Sequence, residues 1–206
     1  MKVRTAAKRD AILFAASQLF LELGYEGASM NELVRRLGGS KATLYGYFPS
    51  KEVLFAAVVR SIATSHLSNA VMTLQKNVDR EADLRQSLQR FAEDVLQILT
   101  NDDNALAVYR MVLGESGRSD VGQIFYEAGP SEAIELLGKL LSACMARGML
   151  QARDPHVCAL QLLSLVTAET NARLYQQAPA KVSKAEIKRI AERAIETFLF
   201  GQLPAR

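Results

Sequence analysis

Cysteine, histidine and tryptophan are scarce in this chain of 206 residues, which has two cysteines, two histidines and no tryptophan. Cys144 and Cys158 form no C-x-x-C pair, and His66 and His156 complete no zinc-binding pattern with them. We therefore expect neither a metal nor a cofactor. Both thiols are predicted to be buried structural groups, which is the usual state of a free cysteine.

Long apolar runs are also absent, and no segment approaches the roughly 18 residues of a membrane-spanning helix. The first twenty residues are basic and then apolar, as in a signal peptide. Their apolar part nevertheless keeps helical spacing, contains Ser17 and Gln18, and is followed by no small-residue cleavage site. We expect a protein without a membrane partner, located in the cytoplasm.

Catalytic signatures are missing as well. The chain has no glycine-rich phosphate loop, no serine, cysteine or histidine in a nucleophile motif, and no metal-ligand spacing. The acidic pair Asp102-Asp103 stands where a helix is predicted to begin, and there carboxylates favour the helix dipole. The sequence therefore indicates that the protein is not an enzyme.

Charge is distributed unevenly along the chain, although the formal net charge is only +3. Residues 1–51 contain eight basic and four acidic side chains, so the rest of the chain carries a net charge of −1. This asymmetry indicates that the first quarter binds a polyanion. A solvated basic surface is the alternative.

Proline and glycine are few, at five and twelve, and apolar residues recur at helical spacing almost throughout. This pattern predicts an all-α fold. The predicted helices lie near residues 3–23, 29–37, 40–47, 50–76, 79–100, 102–116, 119–128, 131–148, 154–176 and 183–201.

The helix predicted at 40–47 is very short, and its two sides differ. Leu44 and Phe48 are four residues apart and predict the buried side. The opposite side and its margins carry small residues, a lysine and two tyrosines, namely Lys41, Ala42, Thr43, Tyr45, Gly46 and Tyr47. A slim ridge flanked by phosphate-binding donors suits a DNA major groove, and the amides after Ser40 offer another anion contact.

Helix 29–37 and the Gly38-Gly39 turn precede this short helix, which gives the arrangement of a helix-turn-helix. The alternative is a helical hairpin whose outer face only meets solvent. The stretch "SMNELVRRLGGSKATLYGYFPSKEVLFAAV" closely resembles the helix-turn-helix of TetR-family transcriptional regulators. The resemblance extends from about residue 8 to residue 60. It rests on the run Ser-Lys-x-Thr-Leu-Tyr-x-Tyr-Phe and the Lys-Glu-x-Leu that follows.

The resemblance implies roles for individual residues. Thr43 would reach bases or phosphates, Lys41 would contact the groove, and Tyr45 would either bind phosphate or pack. Ser29, Tyr47 and Lys51 would bind phosphate. The predicted DNA-binding set is Ser29, Ser40, Lys41, Ala42, Thr43, Tyr45, Tyr47 and Lys51.

Two positions depart from the family pattern. Gly39 stands where members usually have an apolar residue, often valine, which predicts a more loosely packed turn. Gly46 stands where many members have histidine or another long polar residue, which predicts an altered base preference.

The segment "VLGESGRSDVGQIFYEAGP" is similar to the C-terminal domain of AefR-like repressors, a TetR subgroup. The resemblance implies a helix-turn-helix domain at 1–54 and a larger helical domain for effector binding and dimerisation at 55–206. Aromatic and flexible apolar side chains suit an adaptable pocket. The predicted ligand-binding residues are Phe91, Val95, Tyr109, Met111, Val112, Phe125, Tyr126 and Asn171, and ordinary core packing is the alternative for each.

The helices near 131–148 and 154–176 are predicted to form the dimer interface. The first has an apolar band wider than one neighbouring helix requires, and the second is apolar until polar residues interrupt it at its C-terminal end. Two of these polar residues, Glu169 and Arg173, alternatively form a surface ion pair.

Together these features predict a homodimeric repressor that binds a palindromic DNA operator and is released by a small-molecule effector. Effector binding would move helix 50–76 as a lever. The alternatives are an activator, a regulator without an effector, and a helical binding module that has lost DNA recognition.

Overall fold

The structure, a computed structural model, describes residues 5–61 and 80–202. These ranges contain helices and no strand, which confirms the predicted all-α class. None of their helices has the length and apolar character needed to cross a bilayer. The α-helices are α1 (Ala6–Gly27), α2 (Met30–Leu37), α3 (Lys41–Tyr47), α4 (Lys51–Val59), α5 (Glu81–Asn101), α6 (Asp103–Glu115), α7 (Val121–Ala128), α8 (Pro130–Ala146), α9 (Pro155–Thr167) and α10 (Lys184–Gln202).

Helix starts follow the capping residues of the sequence. The Ser40 hydroxyl accepts a hydrogen bond from the Thr43 N–H at 3.2 Å, and Ser29 and Ser50 cap α2 and α4 in the same way. Asp102 accepts from the N–H groups of Asn104 and Ala105, so the acidic pair lies at a helix N-terminus as predicted. Each cap satisfies amides that have no partner within the helix.

Two predicted helices differ from the observed ones. α1 continues to Gly27 through a kink at Gly24, where φ is 72°. The helix predicted at 154–176 ends at Thr167, and Asn171–Tyr175 form a separate 3-10 helix. For the helix predicted at 50–76, the structure shows α4, and the predicted part beyond residue 61 lies outside the described residues.

The first compact unit contains the described residues of 1–64 together with 107–129. α1 packs against α2 and α4, α2 against α3, and α4 against α7. The core centres on an aromatic cluster in which the ring centroid of Phe55 lies 5.2 Å from that of Phe20 and 5.0 Å from that of Tyr25. Aromatic burial of this kind contributes strongly to the stability of a small unit.

The second compact unit contains the described residues of 65–106 and 130–206. In it α9 packs against α5, α8 and α10, and α10 packs against α5. Cys144 and Cys158 are buried in this core, as predicted, and burial raises the pKa of both thiols. The division of the chain by function into 1–54 and 55–206 stays a prediction. The packing does not follow this boundary, because it places residues 107–129 with the N-terminal helices.

The polar end of the helix predicted at 154–176 forms contacts that local spacing does not indicate. Glu169 pairs with Arg193 of α10, through bonds of 2.8 and 2.6 Å. Arg173 instead donates to the backbone oxygens of Thr100 and Ala180 at 2.8 and 2.7 Å. The suggested Glu169–Arg173 pair is therefore wrong, because the helix has ended before these residues and they no longer share a helical face.

Candidate nucleic-acid interface

The turn between α2 and α3 fixes the orientation of the short helix. Gly38 ends α2 in the left-handed conformation, with φ of 62°, and Ser40 then caps α3. Leu44 and Phe48 are each only 2% exposed, which confirms the predicted buried side of α3. Burial of two large side chains holds a seven-residue helix that would not be stable alone.

The opposite side of α3 is open to solvent. Lys41 and Ala42 are exposed, and Tyr45 is 45% exposed. Thr43, Gly46 and Tyr47 are half-buried, and Ser29 and Ser40 are exposed at the starts of their helices. A Cβ added at Gly39 would meet no atom within 4 Å, so this turn position faces open space. The outward ridge therefore has little bulk, the shape that close approach to a groove requires.

The hydroxyl of Thr43 is already engaged within the helix. Its Oγ1 lies 2.9 Å from the Ser40 Oγ, and either atom can be the donor. Ser40 Oγ also accepts from the Thr43 N–H, so the two hydroxyls form one small network at the start of α3. A hydroxyl has one donor and two acceptor sites, which leaves Thr43 able to contact a base edge or a phosphate as well.

Tyr47 lies at the C-terminal end of α3 and contacts the beginning of α1. Its phenol oxygen accepts a hydrogen bond from the Thr5 N–H at 2.9 Å. Nearby, the Arg9 guanidinium lies 5.5 Å from the Phe48 ring centroid, within the range of a cation–π contact. Because the phenol oxygen is the acceptor here, its own proton remains available for a phosphate oxygen.

Lys51 is half-buried at the start of α4 and contacts Tyr25. Its ammonium donates to the Tyr25 carbonyl oxygen at 3.1 Å and lies 4.3 Å from the centroid of the Tyr25 ring. Burial, followed by nearby carboxylates including Glu52, raises the pKa of Tyr25, so this phenol stays neutral at physiological pH. Since an ammonium has three donors, Lys51 retains capacity for a phosphate. Tyr25 is a partner that sequence reasoning missed.

Not all of the basic residues in the first quarter are free for a polyanion. Arg35 and Arg36 both hydrogen-bond Glu32, and Arg36 also donates to Glu22 at 2.6 Å. Hydrogen bonds from Arg35 and Arg36 lower the pKa of Glu32 to about 2. The positive charge of α2 is thus largely compensated within the protein, whereas Lys41 of α3 is exposed.

The predicted ligand-binding residues do not gather in one compact unit. Phe91 and Val95 are buried in the core of the second unit, and Asn171 is exposed at its 3-10 helix. The other five lie in the first unit. Val112 is buried in its core, and Met111 and Phe125 pack against that core. The ring centroids of Tyr109 and Phe125 lie 5.8 Å apart, and Tyr126 is 42% exposed. The effector site stays a prediction.

Exposed apolar side chains of the second unit lie on α9 and α10, apart from Tyr175 on the 3-10 helix. Val157 and Leu160 are 43% and 40% exposed, and Phe200 is 92% exposed. Between the two helices runs a groove of about 600 Å³ whose lining includes Val157, Leu160, Ser164, Leu165, Phe198 and Gly201. By contrast, the apolar band of α8 is buried within the chain, through Ile134, Leu137, Leu140, Leu141 and Cys144.

Comparison with known proteins identifies both parts of the chain. Residues 12–58 match the family described as bacterial regulatory proteins of the tetR family. Residues 86–200, more than half of the chain, match the AefR-like transcriptional repressor C-terminal domain. The matches are to transcriptional regulators and not to enzymes.

Individual relatives agree with these family matches. The transcriptional activator FasR of Mycolicibacterium smegmatis is 32% identical over 105 residues, which are 51% of this chain and 45% of FasR, so the chain spans about half the length of this curated relative. A TetR-family regulator from Mesorhizobium loti superimposes with a TM-score of 0.78 and 28% identity, over 98% of this chain and all of the other.

The flavonoid-responsive regulator FrrA superimposes with a TM-score of 0.75 and 32% identity, over 98% of this chain and all of FrrA. Agreement over whole chains, together with the helix-turn-helix described above, establishes the family. The chain belongs to the TetR family of bacterial transcriptional regulators.

Proposed function

We propose that this protein is a homodimeric repressor in the cytoplasm that binds a palindromic operator and is released by a small molecule. The observation that carries the proposal is the exposed, slim ridge of α3, held by the buried Leu44 and Phe48 beside a capped turn. The match of residues 86–200 to an AefR-like repressor domain supports repression. We also propose the boundary of 1–54 and 55–206 as a functional division between DNA reading and regulation.

In the proposed complex, α3 of each subunit enters the major groove of one operator half. Ala42 and Thr43 face the bases, and Lys41 contacts the groove edge. Phosphate contacts come from the margins, through Ser29, the amides after Ser40, Tyr45, Tyr47 and Lys51. Phosphate contacts set affinity and register, whereas the few side chains that reach base edges set sequence preference.

The dimer is proposed to form through α9 and α10, related by a two-fold axis. This replaces α8 of the predicted interface, because the apolar band of α8 is already covered within the chain. The groove between α9 and α10 and the exposed Phe200 lie on the same two helices. A two-fold pairing would cover both copies of this apolar surface, which otherwise faces water.

The effector is proposed to be a small, largely apolar molecule, and flavonoids are the first class to test. The support is the relative FrrA, which is flavonoid-responsive. Tyr109 and Phe125, whose ring centroids lie 5.8 Å apart in the first unit, are the aromatic pair of the predicted ligand-binding set that would contact a flat ring system. A coupling of about 1–3 kcal/mol between the effector and DNA sites is sufficient for release.

Activation is the second candidate, because FasR is an activator. A sequential experiment separates the two. Operators are first selected from a random duplex pool with the purified protein, and flavonoids are then titrated against the complex. A selected operator is cloned upstream of a reporter gene: repression predicts higher expression when the regulator is deleted, and activation predicts lower expression. Failure to select any duplex at low salt would refute the proposal.

A further inference from the structure

The carboxylate of Glu115, the last residue of α6, binds the backbone at the kink of α1. Its Oε1 accepts a hydrogen bond from the Tyr25 N–H at 2.8 Å, and its Oε2 accepts from the Glu26 N–H at 3.2 Å. The residues are about ninety positions apart in the chain. Two charge-assisted hydrogen bonds from adjacent amides fix a carboxylate firmly, since both oxygens are used.

The kink is shaped to admit this carboxylate. Gly24, immediately before the two amides, has φ of 72°, and a Cβ built there would overlap Glu115 Oε1. Any other residue at this position would therefore strain the backbone and force the Glu115 carboxylate to move. The glycine leaves space for the acceptor beside the two amides.

Tyr25 connects Glu115 to the DNA-binding residues. Its N–H is held by Glu115, while its carbonyl oxygen and its ring are the two groups that hold the Lys51 ammonium. The ring is also fixed, since its centroid lies 5.0 Å from that of Phe55. Glu115 and Lys51 thus bind the same residue through its donor and its acceptor.

We propose that Glu115 is a positioning residue for DNA binding, acting through Tyr25 on Lys51. The carboxylate fixes the backbone of Tyr25, which in turn fixes the ammonium at the place from which it reaches a phosphate. The inference rests on the proposed phosphate contact of Lys51. It gives α6 a defined role, because a shift of the C-terminal end of α6 away from the kink would release the Lys51 ammonium and weaken DNA binding.

The sign of the effect separates this proposal from simple electrostatics. Glu115→Gln removes one negative charge from the DNA-binding unit, and charge alone predicts tighter binding to DNA. The proposal predicts the opposite, because a glutamine offers one acceptor oxygen and cannot satisfy both amides. We expect Glu115→Gln to bind DNA about tenfold more weakly than the unchanged protein. The slope of log affinity against log salt concentration should also become shallower. It should approach the slope of Lys51→Ala, which should be shallower by about one unit.

Two further variants complete the design. Glu115→Asp keeps the charge but shortens the side chain, so it should also weaken binding. Glu127→Gln, on the exposed side of α7, removes the same charge away from the kink and should leave the salt slope unchanged. Each protein is measured by fluorescence anisotropy on one selected operator and one unrelated duplex across a salt series, with its melting temperature recorded alongside.

The double variant Glu115→Gln/Lys51→Ala supports the proposal if it binds DNA no more weakly than Lys51→Ala alone. Such non-additivity would show that the two substitutions remove the same phosphate contact. A lower melting temperature with an unchanged salt slope for Glu115→Gln would show a purely structural role and overturn the proposal. An unchanged salt slope for Lys51→Ala would also overturn the proposal, because it would show that Lys51 contacts no phosphate. If the unchanged protein binds no DNA, the proposed function itself is refuted.

Discussion

The phenol oxygen of Tyr47 accepts a hydrogen bond from the backbone N–H of Thr5 at 2.9 Å and so joins the C-terminal end of α3 to the N-terminal end of α1. The two residues are 42 positions apart. Because Tyr47 is the acceptor in this contact, its phenol proton stays available as a donor to DNA, which allows a direct test of the predicted phosphate role.

Tyr47→Phe should weaken binding to every DNA sequence by about 1.5–3 kcal/mol, because the variant lacks a donor to a charged phosphate oxygen. The salt slope should hardly change, since a neutral hydroxyl displaces no counterion. Anisotropy titrations across a salt series measure both quantities. Tyr175→Phe, at an 89% exposed position in the second unit, is the matched control. Unaltered affinity in Tyr47→Phe would remove this residue from the phosphate contacts.

Thr43→Val should change the base preference of α3. Valine keeps the β-branched shape but lacks the hydroxyl, so a direct base contact would be lost at a cost of about 1–3 kcal/mol for the preferred base. The helix should start as before, because Ser40 still caps the Thr43 N–H. Competition among single-base operator variants gives the answer. If all variants lose affinity equally, Thr43 positions the backbone and reads no base.

Leu160→Glu and Phe200→Glu should each convert the dimer to a monomer, since a carboxylate would be buried in an apolar interface without a partner. Sedimentation velocity over a concentration series detects the change, and operator affinity should fall with it. Tyr175→Glu introduces the same charge at an exposed aromatic outside the groove and should remain dimeric. A dimeric Phe200→Glu variant would place the interface elsewhere.

Gly24→Ala should destabilise the first unit more than Gly38→Ala does. Gly38 lies in the left-handed region, where an alanine costs about 1–2 kcal/mol, whereas Gly24, with φ of 72° and ψ of 174°, lies in a region almost restricted to glycine. Only at Gly24 does the added Cβ meet another atom, the Glu115 carboxylate, whereas at Gly38 it meets nothing within 4 Å. Urea denaturation compares the two free energies of unfolding. Equal losses would contradict the prediction, by showing that neither the backbone at Gly24 nor the contact with Glu115 adds a cost beyond that at Gly38.

Glu32→Gln should lower the melting temperature at neutral pH but not in strong acid. Hydrogen bonds from Arg35 and Arg36 lower the pKa of Glu32 from its usual 4.5 to about 2. A lowered folded-state pKa contributes stability that is complete above about pH 4.5 and is lost as the pH falls toward 2. Thermal melts of both proteins should therefore converge over this range. A constant difference would show that the ion pairs do not stabilise the fold.

Much of the helix-turn-helix could be predicted from the sequence. Its capping serines, the burial of Leu44 and Phe48 and the exposure of Lys41 and Ala42 follow from spacing over three or four residues. The extension of α1 past Leu23 was not predicted, because Gly24 is a standard stop signal. Here a distant carboxylate stabilises the backbone beyond it.

The sequence by itself determined where the helices begin, which side of each is apolar, and which short helix could enter a groove, because these properties depend on neighbours along the chain. Only the tertiary structure decided that Glu115 holds Tyr25, that Glu169 pairs with Arg193, and that the apolar band of α8 is covered within the subunit. Such contacts join residues tens of positions apart. Their partners are selected by how the helices pack, which no local periodicity specifies.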